Sequence, residues 1–266
     1  MQTNMEFLLY IAAGAGVGFA IGLTGVGGGS LMTPLLLLFG YPVPVAIGTD
    51  LLYAAITKAG GAISHHRRRK VDWRIVRTLA LGSIPTSVLL HYFLLDQNFQ
   101  ELEIFEKLLT KSLGVMLIMT SIILIYRDKM RLNALEERPE LMMQLVHKRR
   151  EAITWIMGLL LGGCVTLSSI GAGAFGAAVL MVIYSQTTTV RIIGTDIAHA
   201  VPLTLIAGLG YLLSGYVDLA LLGSLLIGSL PAIHLGTKVS DQVPDKTLQK
   251  ILATLLLGLG MNYILF

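Results

Sequence analysis

Apolar residues fall in runs at about 7–23, 29–40, 46–64, 73–95, 104–126, 153–170, 174–185, 192–213, 219–235 and 248–265, with polar stretches between them. Most of these runs are long enough for a helix rising ~1.5 Å per residue to cross the ~30 Å hydrocarbon core of a bilayer. Two are not. Runs 29–40 and 174–185 make about 18 Å of helix each. Each follows a cluster of small residues: Thr24-Gly25-Val26-Gly27-Gly28-Gly29-Ser30 before the first, Ser168-Ser169-Ile170-Gly171-Ala172-Gly173 before the second. The pattern predicts a helix broken part-way through the membrane, or a re-entrant hairpin, at both places. Backbone that leaves the helix at membrane depth persists only where protein or water satisfies its N–H and C=O groups. The two breaks are therefore the expected place for a central site.

The order of the runs repeats. Residues Gly48 to Pro85 match Gly194 to Pro231 without a gap, and one offset of 146 separates Gly48 from Gly194, Val71 from Val217 and Gly82 from Gly228. With five apolar segments per copy, an odd number, the second copy enters the membrane from the side opposite to the first. The expected fold is an all-α membrane protein of two inverted-topology repeats, residues 1–126 and 152–266, joined by a connector at 127–151. The connector is the one long polar stretch and is expected to be a helix on the cytoplasmic surface.

Composition supports lipid as the solvent: 54% of the 266 residues are hydrophobic and 14% charged, with a mean hydropathy of +0.73. A soluble domain of this make-up would expose large apolar patches. The net charge of +4 does not point to nucleic acid, because 12 of the 20 Lys and Arg crowd into two short stretches, His65 to Arg74 and Arg127 to Arg150. Such clustering orients a multispanning protein with its basic loops inside. The stretch 96–103 between them carries three acids and no Lys or Arg, which makes it outside, with both termini. The start of the chain has an acid and no base before its apolar run, unlike a secretory signal, so Glu6 onward reads as mature protein. The single Cys164 excludes an internal disulfide or a multi-cysteine metal cluster and reads as packing.

Few groups in the apolar runs can carry chemistry. Glycine-rich breaks at the start of short helices offer bare amides and a partial positive charge to an anion, and Ser30, Ser168 and Ser169 add hydroxyls; close helix packing is the alternative use of small residues. Of the 16 Asp and Glu, Asp50 and Asp196 stand deep in apolar runs at the same position of the two copies. Lys58 follows Asp50 by eight residues, and His199 follows Asp196 by three, on one helix face. Charges inside a bilayer face a cavity or each other and mark a transport path. Asp50 and Asp196 could instead cap the helices starting near Gly48 and Gly194, and Lys58 could be an anion ligand or a partner in a helix–helix ion pair. Asp72 and Asp218 read as N-caps with Trp73 as an interfacial anchor. Pro85 and Pro231 read as fixed bends. The His65 to Lys70 run reads as an orienting element that touches anionic lipid.

The stretches GLTGVGGGSLMTP, GTDLLYAAITKAGGAISHHRRRKVDW and GYVDLALLGSLLIGSLPAIHLG make the chain similar, over nearly its whole length, to the sulfite exporter TauE/SafE family of bacterial inner-membrane proteins. The resemblance implies movement of sulfite, thiosulfate or organosulfonates, no cofactor, and no partner beyond the small anion and the lipid. Residue by residue, it implies a substrate region at Gly25, Gly27, Gly28, Gly29 and Ser30 with Gly48 and Thr49, and at Ser168, Ser169, Gly171 and Gly173 with Gly194 and Thr195. Asp50 and Asp196 stand where many family members carry a small polar residue, and a carboxylate repels an anion.

The expected function is thus a secondary transporter of a small anion, not an enzyme. Lys58, hydroxyls and glycine amides hold the anion, while Asp50, Asp196 and His199 take a coupled proton. Two other readings stay open: cation or metal transport through the same three residues, and a membrane aspartyl enzyme, which needs two carboxylates sharing a proton. The glycine cluster lacks the Lys-Ser/Thr ending of a P-loop, so ATP-driven transport is not expected in this chain.

Overall fold

The computed structural model describes residues 2–24, 31–94, 103–133, 140–239 and 245–265, and among these the chain is helical with short turns and no strand. We label the helices α1 (Gln2–Thr24), α2 (Met32–Leu38), α3 (Val43–Arg67), α4 (Trp73–Leu94), α5 (Glu103–Asn133), α6 (Glu140–Ser168), α7 (Ala174–Ile183), α8 (Thr189–Leu213), α9 (Leu219–Val239) and α10 (Asp245–Leu265). Spans 104–126, 149–168, 189–213 and 219–239 are both long and apolar enough to cross a bilayer. Helix α3 has the length, but Asp50 and Lys58 interrupt its apolarity. Leu8, Leu81, Leu89, Leu160, Ile227 and Leu255 are among the many large apolar side chains left exposed, as a lipid-facing surface requires. Of the connector, the described parts belong to the flanking helices: α5 runs on to Asn133 and α6 begins at Glu140.

The short segments are hairpins. At seven and ten residues, α2 and α7 make about 10 and 15 Å of helix, too little to cross. Their far ends return to where the preceding helices set out. The Tyr184 hydroxyl, just beyond α7, lies 2.9 Å from Thr154 Oγ1 near the membrane-entering end of α6, and Arg150 stacks on the Tyr184 ring. Likewise Tyr41, just beyond α2, donates its hydroxyl to Tyr10 of α1 at 2.8 Å. In each copy the end of the short helix therefore comes back alongside the helix that precedes it. The tips pack together, since Leu31, Cys164, Ile170 and Ala174 share one apolar cluster with Leu113, Met116 and Leu117 of α5.

Glycine lets the long helices touch backbone to backbone, and the contacts come in matched sets. In the α1–α9 pair, Gly14 meets Leu225, Gly18 meets Ser229 and Gly228 meets Ile11; in the α4–α6 pair, Gly158 meets Leu79, Gly162 meets Ser83 and Gly82 meets Trp155. Moving α9 back by 146 and α1 forward by 144 converts the first set into the second. In the α3–α8 crossing, Gly48 lies against Tyr211 and the Tyr216 carbonyl, and Gly194 lies against His65 and the Lys70 carbonyl, again at an offset of 146. Gly114 of α5 and Gly260 of α10 each face the other's carbonyl.

Polar contacts gather at two ends. Arg74 pairs with Glu151 at 2.7 Å and Arg191 with Asp72 at 3.2 Å, which places loop 68–72, the start of the second copy and the 184–188 turn on one face, the basic face. Phe105 packs on Tyr216, His91 on Tyr211, and Lys111 donates to the Ile264 carbonyl at the opposite face. Asp72 and Asp218 cap α4 and α9 through the amides of Arg74 and of Ala220 and Leu221. Trp73 donates its indole N–H to His66 at the basic rim.

The glycine contacts predict unequal penalties. A Cβ at Gly18 would sit 2.6 Å from Ser229 Cα, whereas Gly16, two residues away, has open space. Gly18→Val should lower stability by about 1–3 kcal/mol through overpacking, and Gly16→Ala should be neutral or stabilising; thermal melts of the two variants in detergent check this.

Candidate functional site

Asp50 and Asp196 each occupy the second turn of a long helix, α3 or α8, seven residues beyond Val43 and Thr189. Neither caps its own helix. Each instead reaches the start of the short helix of its own copy. Asp50 Oδ2 accepts the Thr33 hydroxyl at 2.6 Å and the Thr33 amide at 3.2 Å, in the first turn of α2. Asp196 Oδ1 lies so close to Gly176, in the first turn of α7, that any Cβ there would collide with it. The partial positive charge of each short helix thus already faces a carboxylate of the protein. An anion cannot take those two positions without meeting that carboxylate.

The cation that answers them is Lys58. Its side chain is 6% exposed, its ammonium donates to the Ala172 carbonyl in the second break at 3.1 Å, and it is in electrostatic reach of Asp196 and then Asp50. An ammonium has three donors, and the Ala172 carbonyl is the acceptor that the geometry gives it. Asp50 Oδ1, Ser169 Oγ, Thr49 Oγ1, Asp196 Oδ1 and His199 Nδ1 are among the buried polar atoms of these segments that make no hydrogen bond. Ser169 stands beside Asp50 and is held at φ +60°, where a serine is uncommon. Gly171 and Gly173 follow at φ +134° and +129°, angles that keep the break open and that other residues resist. Unsatisfied polar groups in a dry interior cost free energy, which makes this region the candidate site.

Other expected site residues do different work. Ser168 turns its hydroxyl onto the Cys164 and Ile170 carbonyls and accepts the Ile170 amide, closing the end of α6. Thr195 donates to the Arg191 carbonyl and accepts the Asp72 amide, tying α8 to the basic loop. Gly48 and Gly194 are the close-approach points of the α3–α8 crossing. Gly25, Gly27, Gly28, Gly29 and Ser30 lie outside the described residues. His199 is buried and its Nε2 lies 2.8 Å from Ser83 Oγ. Tyr53 occupies the His199 position of the first copy, beside Ser229, the Ser83 equivalent. Thr33, Gly176, Ser83, Ser229 and Tyr53 escaped the sequence reading. The offset of 146 would have exposed the last three, since it pairs Tyr53 with His199 and Ser83 with Ser229.

Among the described residues, no three His, Cys, Asp or Glu side chains converge as a metal site. The site is a buried carboxylate pair with one ammonium, lined by hydroxyls and broken backbone at the meeting point of two hairpins.

Comparison with known proteins accords with this architecture. The family model described as sulfite exporter TauE/SafE matches residues 10–263. The chain belongs to that family. It is similar to the "Probable membrane transporter protein YjnA" of Bacillus subtilis (strain 168), 37% identical over 262 residues, covering 96% of this chain and 98% of that one. It is also similar to the "Probable membrane transporter protein YdhB" of the same organism, 27% identical over 88% of this chain and 90% of that one. A third relative, a "Probable membrane transporter protein" of Methanocaldococcus jannaschii, is 26% identical over 100% of this chain and 99% of its own. No solved structure matches the chain.

Two hydroxyls test the site's construction. Thr33→Val removes a hydrogen bond to a buried carboxylate and should lower the melting stability by about 1.5–3 kcal/mol, while Thr49→Val removes a hydroxyl with no partner and should be close to neutral without ligand. Outside the apolar stretch, burial and then the Arg68 charge hold His65 below the ordinary imidazole range. A histidine whose folded pKa is depressed supports the fold above its unfolded value of about 6.5, and that support is lost as pH falls below it. His65→Gln should therefore flatten the acid side of the melting-temperature profile between pH 7 and 5.

Proposed function

We propose that this protein is a secondary active transporter of a small oxyanion, of the sulfite, thiosulfate or organosulfonate class, that couples anion movement to protons. The observation that carries the reading is the buried Lys58 ammonium between two equivalent carboxylates, at the place where both hairpins leave the helix. A lysine in hydrocarbon costs several kcal/mol unless paired. Two ionised carboxylates beside one ammonium leave one net negative charge, so one proton makes the site neutral and a second makes room for an anion. In this reading an arriving anion takes the free donors of Lys58 and the hydroxyl of Ser169. Asp50 and Asp196 accept protons as it does, which removes the repulsion that ionised carboxylates would exert, and His199 hands protons on. The apparent conflict of acids in an anion site thereby becomes the coupling device.

The matched glycine contacts support a second part of the reading, that the halves are inverted repeats about an axis through the α3–α8 and α5–α10 crossings. The site then opens alternately to either face as the two hairpin units rock against the paired long helices. The family and the relatives' names support transport in preference to membrane enzymology, and the thin ligand set speaks against a metal as cargo. We place the protein in the cytoplasmic membrane with the basic face inside.

Proteoliposomes decide the substrate. Sulfite or thiosulfate uptake should rise when a pH gradient is imposed, and Lys58→Ala should reduce it at least tenfold. Uptake that ignores the gradient would remove proton coupling, and a Lys58→Ala variant with normal uptake of the tested anions would remove the anion role of that residue.

A further inference from the structure

We propose that the turn closing α3, Arg67 to Lys70, binds the phosphate headgroup of an anionic phospholipid, with the exposed Ile63 and Trp73 beside it as the seat of the acyl chains. The site stands apart from the transport centre and does not depend on it. Arg69 lies at φ +54°, in the left-handed region, where a side chain is disfavoured and glycine is the usual occupant at the end of a helix. The second copy has the usual residue. Adding 146 to Arg69 gives Gly215, at φ +78°, and the two turns close by the same bonds. In the first, the Lys70 amide donates to the His65 carbonyl at 2.9 Å and the Arg69 amide to the His66 carbonyl at 2.9 Å. In the second, the Tyr216 amide donates to the Tyr211 carbonyl at 2.9 Å and the Gly215 amide to the Leu212 carbonyl at 3.1 Å. One turn is built with glycine and the other, bond for bond alike, with arginine.

The fold therefore does not ask for Arg69. Nor does orientation in the bilayer, since Arg67, Arg68 and Lys70 already put positive charge on this face. What arginine adds is a planar fork of donors that fits a phosphate. The acids nearby are engaged elsewhere: Asp72 with Arg191 and the Arg74 amide, and Glu151 with Arg74. Arg67, Arg68, Arg69 and Lys70 are all exposed, and among the described residues none of the four makes an ion pair. The equivalent residues of the second copy, Leu213, Ser214, Gly215 and Tyr216, carry no charge. Four unanswered cations in a row, one of them held in a disfavoured conformation, concentrate a charge that an anion answers.

The surroundings select a lipid over a free ion. An exposed indole settles at the level of the headgroups, and Trp73 is exposed. Its N–H is donated to His66 Nδ1 at 3.3 Å and its ring meets the His66 ring edge-on, which ties the end of α3 to that level. Ile63 lies one turn deeper than His66 and Arg67, on the same face of α3, and is exposed as well. The cations thus crown an apolar strip, with Ile63 toward the membrane interior and Trp73 alongside. That is the outline of a phospholipid, charged at one end and apolar below, and basic segments at the membrane surface attract the anionic kind. A free oxyanion would use the cations and leave the strip without a role.

Native mass spectrometry of the protein in detergent, titrated with dioleoyl phosphatidylglycerol or dioleoyl phosphatidylcholine, tests the site. The parent should bind its first phosphatidylglycerol at least tenfold more tightly than its first phosphatidylcholine. Arg69→Gly should weaken phosphatidylglycerol about fivefold, the effect of one cation near a headgroup, and leave phosphatidylcholine unchanged. Lys250→Gln, which removes the same charge from an exposed position on α10, should stay within twofold of the parent for both lipids. A thermal melt without added lipid separates binding from folding: Arg69→Gly should melt about 2 °C higher than the parent, because the disfavoured conformation is relieved. Equal affinity of the parent for the two lipids, or unchanged phosphatidylglycerol binding in Arg69→Gly, would overturn the site. An Arg69→Gly variant that melts below the parent would show Arg69 serving the fold and would overturn it too. Glycerol 3-phosphate binding as tightly as phosphatidylglycerol would make the occupant a free anion and overturn the lipid.

Discussion

An ionisable group placed in hydrocarbon has to be answered by another, and everything central in this protein follows from that requirement. Asp50, Lys58 and Asp196 lie deep in the bundle, where an isolated charge would cost several kcal/mol. Each carboxylate is met by the start of a short helix, and the ammonium is met by a backbone carbonyl freed at a helix break. The helices are short because the chain must turn round inside the membrane to present those groups. Interrupted helices and buried charges are thus two sides of one device, since neither is tolerable without the other.

The surrounding architecture holds that device in place. Glycines at the α1–α9, α4–α6, α3–α8 and α5–α10 crossings let the long helices approach backbone to backbone, which fixes the hairpins without large side chains that would fill the centre. Small residues suit a medium in which apolar burial gives no driving force between helices and close packing must supply it. Where the two copies agree, as in these glycines and in the paired aspartates, the shared feature belongs to the scaffold. The copies differ at Lys58, which Thr204 matches in the second copy, and at His199, which Tyr53 matches in the first.

Much of this was legible in the sequence. Two twelve-residue apolar runs after glycine clusters pointed to the short helices α2 and α7, and the offset of 146 pointed to the matching places of Asp50 and Asp196 at the starts of those helices. The carboxylates' real partners were hidden, because Thr33 and Gly176 are ordinary residues in a helix until the neighbouring α3 and α8 bring an acid to them. Capping was anticipated, but of the wrong helix: periodicity places a residue on its own helix and says nothing of the one packed across from it. Ser168 and Thr195 looked like ligands for the same reason, since whether a hydroxyl turns inward or onto its own backbone is settled by local carbonyls that become free only in the folded chain.

The central proposition is that Lys58 and the second break form the seat of an oxyanion. Selenite or selenate, heavier analogues of the sulfur oxyanions, can be located directly by anomalous scattering in crystals of the protein. A selenium peak within hydrogen-bonding reach of Lys58 Nζ and Ser169 Oγ is the predicted result. A peak confined to the His65 to Lys70 surface, with the buried ammonium still bound to the Ala172 carbonyl alone, would contradict it.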